Sequence, residues 1–200
     1  MTDDRRRRPG RPRSEQAHDA VLAAARELLA EVGYPRLTIE GVAARAGVGK
    51  TTIYRWWSSK AELVAEILYR PIGIEEIPES GSPRDDLATN IRLLVEPFAD
   101  PWYGPALTGA RNDLNADPEG QKAFQAQIMS GRRATGRAVF QRLIDAGDLP
   151  EDTDVDYLID VMSGLLVYRG VIWRQPITED DIRKMVALLV DGAPPRRTPS

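Results

Sequence analysis

The side chains whose grouping could do chemistry lie between Thr38 and Lys60, and most sit within residues 50–56. Lys50, Thr51, Thr52, Tyr54, Arg55 and Trp56 supply an ammonium, a guanidinium, hydroxyls and an indole N–H, with no carboxylate among them. Such a set donates hydrogen bonds and stacks, which suits the phosphate oxygens and base edges of a DNA major groove. Bond-breaking chemistry has little to work with. The chain has no Cys, and His18 is its only histidine, placed on the first turns of a helix away from any His, Asp or Glu constellation. No P-loop, G-x-S-x-G or Gly-rich turn after a strand occurs. Asp152, Asp154 and Asp156 alternate as calcium ligands can, yet lack the glycine and bidentate Glu of an EF-hand, so acid placement at a helix N-terminus explains them better. No enzymatic activity, cofactor or metal site is expected.

The elements that must position the donors are helices. Ile39, Val42, Ala43 and Ala46 recur at i, i+3, i+4 and i+7 behind Thr38, an N-cap residue, and Gly47 can take the left-handed turn that ends the helix. The next helix, Lys50 to about Trp57, turns Ile53 and Trp57 inward and leaves the donor set outside, a helix-turn-helix. Ser59-Lys60-Ala61-Glu62 is a capping box, so a further helix begins at Lys60 and runs to about Tyr69, where its amides and Lys60 could hold a phosphate. Upstream, Val21, Ala25, Leu28, Leu29 and Val32 stripe a support helix over Ser14–Val32, closed by Gly33.

The stretch TIEGVAARAGVGKTTIYRWWSSKAELV resembles the DNA-binding signature of the tetracycline-repressor (TetR) family of bacterial transcriptional regulators, over about residues 15–68. Two departures stand out. Gly49 replaces the usual Ser, giving up a side-chain cap, and Trp56-Trp57 replace a His-Phe pair. The resemblance implies double-stranded DNA as partner, with Lys50, Thr51 and Arg55 toward bases and Thr38, Thr52, Tyr54, Trp56 and Lys60 toward phosphates. Residues 1–13, MTDDRRRRPGRPR, form a basic arm that cannot be helical throughout; its Gly-Arg-Pro core resembles an AT-hook tripeptide, with Arg11 and Arg13 as minor-groove candidates and a solvating tail as the alternative. Charge follows the same division. Residues 1–70 carry 13 Lys/Arg against 9 Asp/Glu, while the whole chain is at −3.

After a Pro- and Gly-containing acidic stretch, Ser82-Pro83 opens a second helical domain, so the expected organisation is an arm at 1–13, a DNA-binding domain at 14–70, a regulatory and dimerisation domain at 82–192, and a disordered tail at 193–200. Helices are expected over Leu87–Phe98 with a distortion at Pro97, over Pro105–Ala116 and over Glu119–Ala146. With no alternating strands, the fold class is all-α. Val155–Trp173 is apolar around most of its circumference, which calls for burial on more than one side and points to a homodimer. Leu158, Met162, Leu165, Leu166, Trp173, Ile182, Met185 and Leu189 are the interface candidates, with Gly164 and Gly170 allowing close approach. The family resemblance implies a small-molecule effector. Trp102, Tyr103, Leu107, Phe124, Ile128, Met129, Met162 and Tyr168 are nominated to line its pocket, with the Trp102-Tyr103 pair at the rim; nearly all would also serve as ordinary core. Arg111, Arg132 and Arg133 could read an anionic ligand or face water. No apolar run reaches the length of a membrane span, and a cytoplasmic protein is expected. The reading is a ligand-responsive repressor of a pseudo-palindromic operator; the alternative is an architectural helix-turn-helix protein with a solid C-terminal core.

Overall fold

The computed structural model describes residues 13–69 and 77–192, excepting the side chains of residues 13, 14, 123, 124, 127 and 128. The described residues form helices and no strand. Arg11, the side chains of Arg13, Phe124 and Ile128, the middle of the acidic stretch and the tail lie outside them.

Four helices make the first unit: α1 (Arg13–Arg36), α2 (Ile39–Ala46), α3 (Lys50–Tyr54) and α4 (Lys60–Tyr69). Their ends follow from local chemistry. Gly33, at φ 73° and ψ 166°, breaks α1 after Val32, and the chain makes one more turn through Pro35. The Thr38 hydroxyl accepts the Gly41 N–H at 3.1 Å, and Gly47 closes α2 in the left-handed region at φ 67°. Gly49 caps α3 with no side-chain hydrogen bond, and α3 ends at Tyr54, a turn earlier than its apolar spacing predicts. The Ser59 hydroxyl accepts the Glu62 N–H at 3.2 Å, while the Glu62 carboxylate reaches the Ser58 N–H at 2.6 Å, one residue before the reciprocal bond of a regular capping box. Val21, Leu29, Val42, Ile53, Leu63 and Leu68 are sealed from solvent between these helices. Each contributes about 1.5–3 kcal/mol by burial.

The second unit begins at α5 (Pro83–Val95), where the Ser82 hydroxyl accepts the Asp85 N–H and Pro83 takes the first turn. Pro97 tightens the chain into a 3₁₀ turn over Glu96–Ala99, and α6 (Tyr103–Asn115) follows. The expected long helix is continuous but not uniform: α7 (Pro118–Phe124) runs through a π turn (Gln125–Met129) into α8 (Ser130–Asp145). A second π turn (Tyr168–Ile172) extends α9 (Val155–Val167), and Thr178 forms a full capping box with Asp181 at the start of α10 (Glu179–Asp191). Asp86, 2% exposed, anchors the corner of this unit, accepting from Arg142 at 2.9 Å and from the Ser80 hydroxyl at 2.6 Å.

The two units meet where α1 and α4 pack on α6. The Tyr34 hydroxyl donates to Asp113 Oδ2 at 2.5 Å, and the Tyr103 hydroxyl donates to the Leu68 carbonyl at 3.0 Å. Gly109 is required at this seam. A Cβ there would come within 2.9 Å of Tyr34 Cε1, closer than packed carbons allow.

The nominated dimer residues divide. Met162, Leu166, Ile182, Met185 and Leu189 are buried within the chain itself, and Gly170 admits the Phe98 ring of the same chain. Leu158 and Leu165 are half-buried, and Trp173 is exposed. The outer face of α9 and its π turn instead shows Tyr157, Val161, Tyr168 and Ile172, with Ile172 67% exposed and Gly164 facing open space. An all-round apolar helix conceals which stripe packs inside its own fold and which faces outward, so periodicity alone does not separate the two.

Candidate nucleic-acid interface and ligand cavity

Thr51, Tyr54 and Arg55 project from α3 and its end into solvent, Tyr54 at 52% exposure, while Ile53 beneath them is sealed. Thr38 and Lys50 are exposed and Thr52 is half-buried. The donor set is therefore presented together, with three corrections. Glu40 of α2 reaches over to Lys50, Oε1 to Nζ 2.9 Å, so the surface is not free of acid; this contact holds the Glu40 carboxyl below its ordinary range and the Lys50 amine above it. Both groups are exposed, and such a pair is readily exchanged for a phosphate. Trp56 does not face outward. The Trp56 ring is half-buried, 5.2 Å from the His18 ring and 5.6 Å from that of Trp57. Its indole is a platform for Arg55, whose Cζ stands 4.8 Å from the ring centroid. Lys60 bends toward α1, donating to the Tyr34 carbonyl at 3.2 Å with its ammonium 4.1 Å from that ring's centroid. Two of its three N–H donors remain for other acceptors.

His18 is not isolated either. It stacks on Trp57 with centroids 4.7 Å apart, and its Nε2 lies 3.5 Å from Glu66, which also accepts the Trp57 indole N–H at 2.7 Å. The cluster locks the end of α3 to α1 and α4. Among the described residues no group of His, Asp and Glu is arranged to hold a metal ion.

In the second unit a cavity of about 610 Å³ opens between α5, α6, α8, α9 and the end of α4. Tyr103, Leu107, Arg111, Met129 and Met162 line it as nominated. Trp102 and Tyr168 do not. Trp102 sits at the seam with Arg26 of α1 over its ring, and Tyr168 lies on the exposed face of α9 beside Trp173. Phe98, Ile159 and Leu166 add apolar wall, and Tyr69, Asn90 and Arg132 add polar wall. These come from five separate helices or turns, and nothing local in the sequence links them. Both π turns border the space, through Met129 on one side and Val171 and Ile172 on the other. Burial pushes the Tyr69 and Tyr103 hydroxyls up and the Arg132 guanidinium down. Arg133 is committed to Asp160 at 2.6 Å and Asp156 at 3.1 Å. A smaller hollow of about 450 Å³ adjoins it across Arg111 and Met129.

A short outward helix set by a Gly turn, carried on a bundle that abuts a hollow helical unit, defines a helix-turn-helix regulator. Residues 21–67 match the family model described as bacterial regulatory proteins of the tetR family, and residues 77–189 match the tetracyclin repressor-like C-terminal domain. The chain is 30% identical over 178 residues to the HTH-type transcriptional regulator YdeS of Bacillus subtilis, covering 88% of this chain and 89% of that one. It is 31% identical over 169 residues to the HTH-type transcriptional regulator Rv1556 of Mycobacterium tuberculosis, covering 83% and 82%. Among solved structures, the TetR family transcription regulator SCO0332 superposes with a TM-score of 0.74 at 29% identity, over 90% of this chain and all of that one. FadR of Bacillus subtilis, in complex with stearoyl-CoA, superposes with a TM-score of 0.68 at 20% identity, over 88% and 98%, a likeness of fold. The protein belongs to the TetR family of DNA-binding transcriptional regulators.

Proposed function

We propose that the protein is a ligand-responsive repressor that binds a pseudo-palindromic operator as a homodimer in the cytoplasm, and that it catalyses no reaction. The joint exposure of Thr51, Tyr54 and Arg55 on a helix with a sealed inner face carries this reading. Arg55 and Thr51 read base edges, Lys50 does so after releasing Glu40, and Thr38, Thr52, Tyr54 and Lys60 hold phosphates on either side. Arg11 and Arg13 of the arm enter the adjoining minor groove. Residues 14–70 form the reading head and 82–192 the regulatory domain. The α9 face bearing Tyr157, Val161 and Ile172 supports dimerisation, because an apolar band of this kind is covered in a soluble protein. Half-sites then lie about 34 Å apart, one helical turn, or a multiple of it.

The cavity supports ligand response over the architectural alternative, which calls for a filled C-terminal core. Among the described residues no helix is long and apolar enough to cross a membrane. The test is an electrophoretic shift with DNA from upstream of the protein's own gene, using wild type and Arg55→Ala. Arg55→Ala is expected to relax preference at particular base pairs, costing about 1–3 kcal/mol at each. A uniform loss over all sequences would assign Arg55 to the backbone instead.

A further inference from the structure

The cavity wall carries positive charge that no carboxylate among the described residues neutralises. Arg132, on α8, stands with Cζ 5.1 Å from the centroid of the Tyr69 ring, and no carboxylate among the described residues pairs with it. Its neighbour Arg133 is engaged by Asp156 and Asp160, which leaves Asp160, the one acid among the described residues of the wall, already balanced. A half-buried guanidinium without a counter-ion is costly, and a cation–π contact offsets only part of that cost. On the same wall Asn90 is 3% exposed, and its Nδ2 donates to no acceptor. Buried polar groups in folded proteins are paired almost without exception, so an orphan donor lining a hollow marks a place for an acceptor that arrives from outside. Leu94, Phe98, Leu107, Ile159 and Met162 supply the apolar part of the lining, beside further polar groups such as Thr108 and Ser163.

We infer that this cavity takes an organic anion with an apolar body, its carboxylate-type head held by the Arg132 guanidinium and the Asn90 amide and its body packed against α5, α6 and α9. The inference rests on the ligand-responsive reading above and narrows it to one chemical class. Neutral and cationic effectors are disfavoured, since either leaves Arg132 unpaired, and a cation adds repulsion from Arg111, which also has no carboxylate partner among the described residues. The anion acts on the DNA-binding head through Tyr69. That residue is the last of α4, so pulling Arg132 off its ring alters the helix that follows the reading segment.

The experiment titrates the full-length protein by calorimetry with octanoate and 4-butylbenzoate, each against the alcohol of the same skeleton. Both carboxylates are expected to bind about 10- to 100-fold more tightly than their alcohols, the usual scale of a hydrogen bond to a charged group. Arg132→Met is expected to abolish that preference, Arg132→Lys to retain part of it, and Asn90→Leu to reduce it. The melting temperature of free Arg132→Met should equal or exceed that of wild type, because an unpaired buried charge is removed. Equal affinity for carboxylate and alcohol, persistence of the preference in Arg132→Met, or no binding of any of the four compounds overturns the anion assignment. So does a fall in the melting temperature of Arg132→Met, which would make Arg132 structural. An operator shift run on the same samples separates the two readings: a carboxylate that binds with the expected preference and leaves operator affinity unchanged overturns ligand response and keeps the site.

Discussion

Replacing Tyr34 by Phe should loosen the seam between the reading head and the regulatory unit while leaving both folded. Tyr34 is 5% exposed, and the only polar atom it sends across the seam is its hydroxyl, which donates to Asp113 Oδ2 at 2.5 Å. Burial, then the Asp113 carboxylate, pushes the phenol well above its ordinary range, so it remains a donor throughout the physiological range. A hydrogen bond to a charged acceptor is worth about 1.5–3 kcal/mol. Asp113 is exposed and rehydrates when the phenol is gone, so the loss falls at the lower end, about 1–1.5 kcal/mol. The ring itself stays, and with it the packing on Gly109 and the contact to Lys60. Urea denaturation of wild type, Tyr34→Phe, Asp113→Asn and the double variant, followed by circular dichroism, gives the pairwise coupling directly. A coupling below about 0.3 kcal/mol would mean that the contact is geometric only and does not bind the units together.

Gly109→Ala places a methyl against the Tyr34 ring and is expected to destabilise by about 1–3 kcal/mol through overpacking, read as a lower melting temperature; an unchanged melt would show that Tyr34 moves aside freely. Val161→Glu, on the exposed stripe of α9, should yield monomers in sedimentation velocity with unchanged helicity, and a persisting dimer would move the interface elsewhere. Asp86 titrates below the usual carboxylate range, since the hydrogen bonds from Ser80 and the charge of Arg142 outweigh its burial. Its lowered value means that the stability it contributes is complete above about pH 3.9 and is lost as pH falls from there through its native value. Asp86→Asn should therefore be less stable at pH 7 and show a shallower loss of melting temperature between about pH 4 and 2; an identical acid profile would remove Asp86 from acid unfolding.

What was legible in the sequence is what neighbours in the chain decide. Thr38, Gly33, Gly47 and Ser82 each act on groups within four residues of themselves, and the structure has each terminus where those residues set it. The inward face of α4 followed from spacing for the same reason. Errors began where a decision depended on distant residues. Trp56 was assigned outward by helical register, but its ring finds His18, thirty-eight residues earlier on α1, and the contact depends on that distant partner. Glu40 and Lys50 are ten residues apart on different helices, and no periodicity brings them together. On α9 the apolar residues occupy most of the circumference, so which stripe meets α8 and α10 and which meets solvent is settled only by packing. The cavity is the extreme case. In the sequence Arg132 is one of three arginines that could read an anion or face water, and Asn90 carries no signal at all; only the assembled wall sets Arg132 apart and leaves Asn90 without an acceptor.

The position of α4 explains how a cavity in one unit can reach a reading helix in the other. Its last turn is held from the regulatory side, with the Leu68 carbonyl taking the Tyr103 hydroxyl and the Tyr69 ring under Arg132. Its first residue, Lys60, is held from α1, on the Tyr34 carbonyl and ring, and Tyr34 is in turn fixed to α6 through Asp113. Between them, Glu66 on α4 accepts the indole N–H of Trp57, just past the end of α3. A ten-residue helix is about 15 Å long, so a displacement at Tyr69 is delivered undiminished to Glu66 and Lys60 if the rod stays intact. Coupling of the usual allosteric size, about 1–3 kcal/mol, changes operator affinity roughly 5- to 150-fold. That is of the same order as the contacts at either end of α4, so a ligand need redirect only one or two of them. The Lys60 ammonium that steadies Tyr34 is also the one proposed to meet a phosphate; on that proposal DNA that draws it away slackens the hold on Tyr34, and operator and effector act on the same helix from opposite ends.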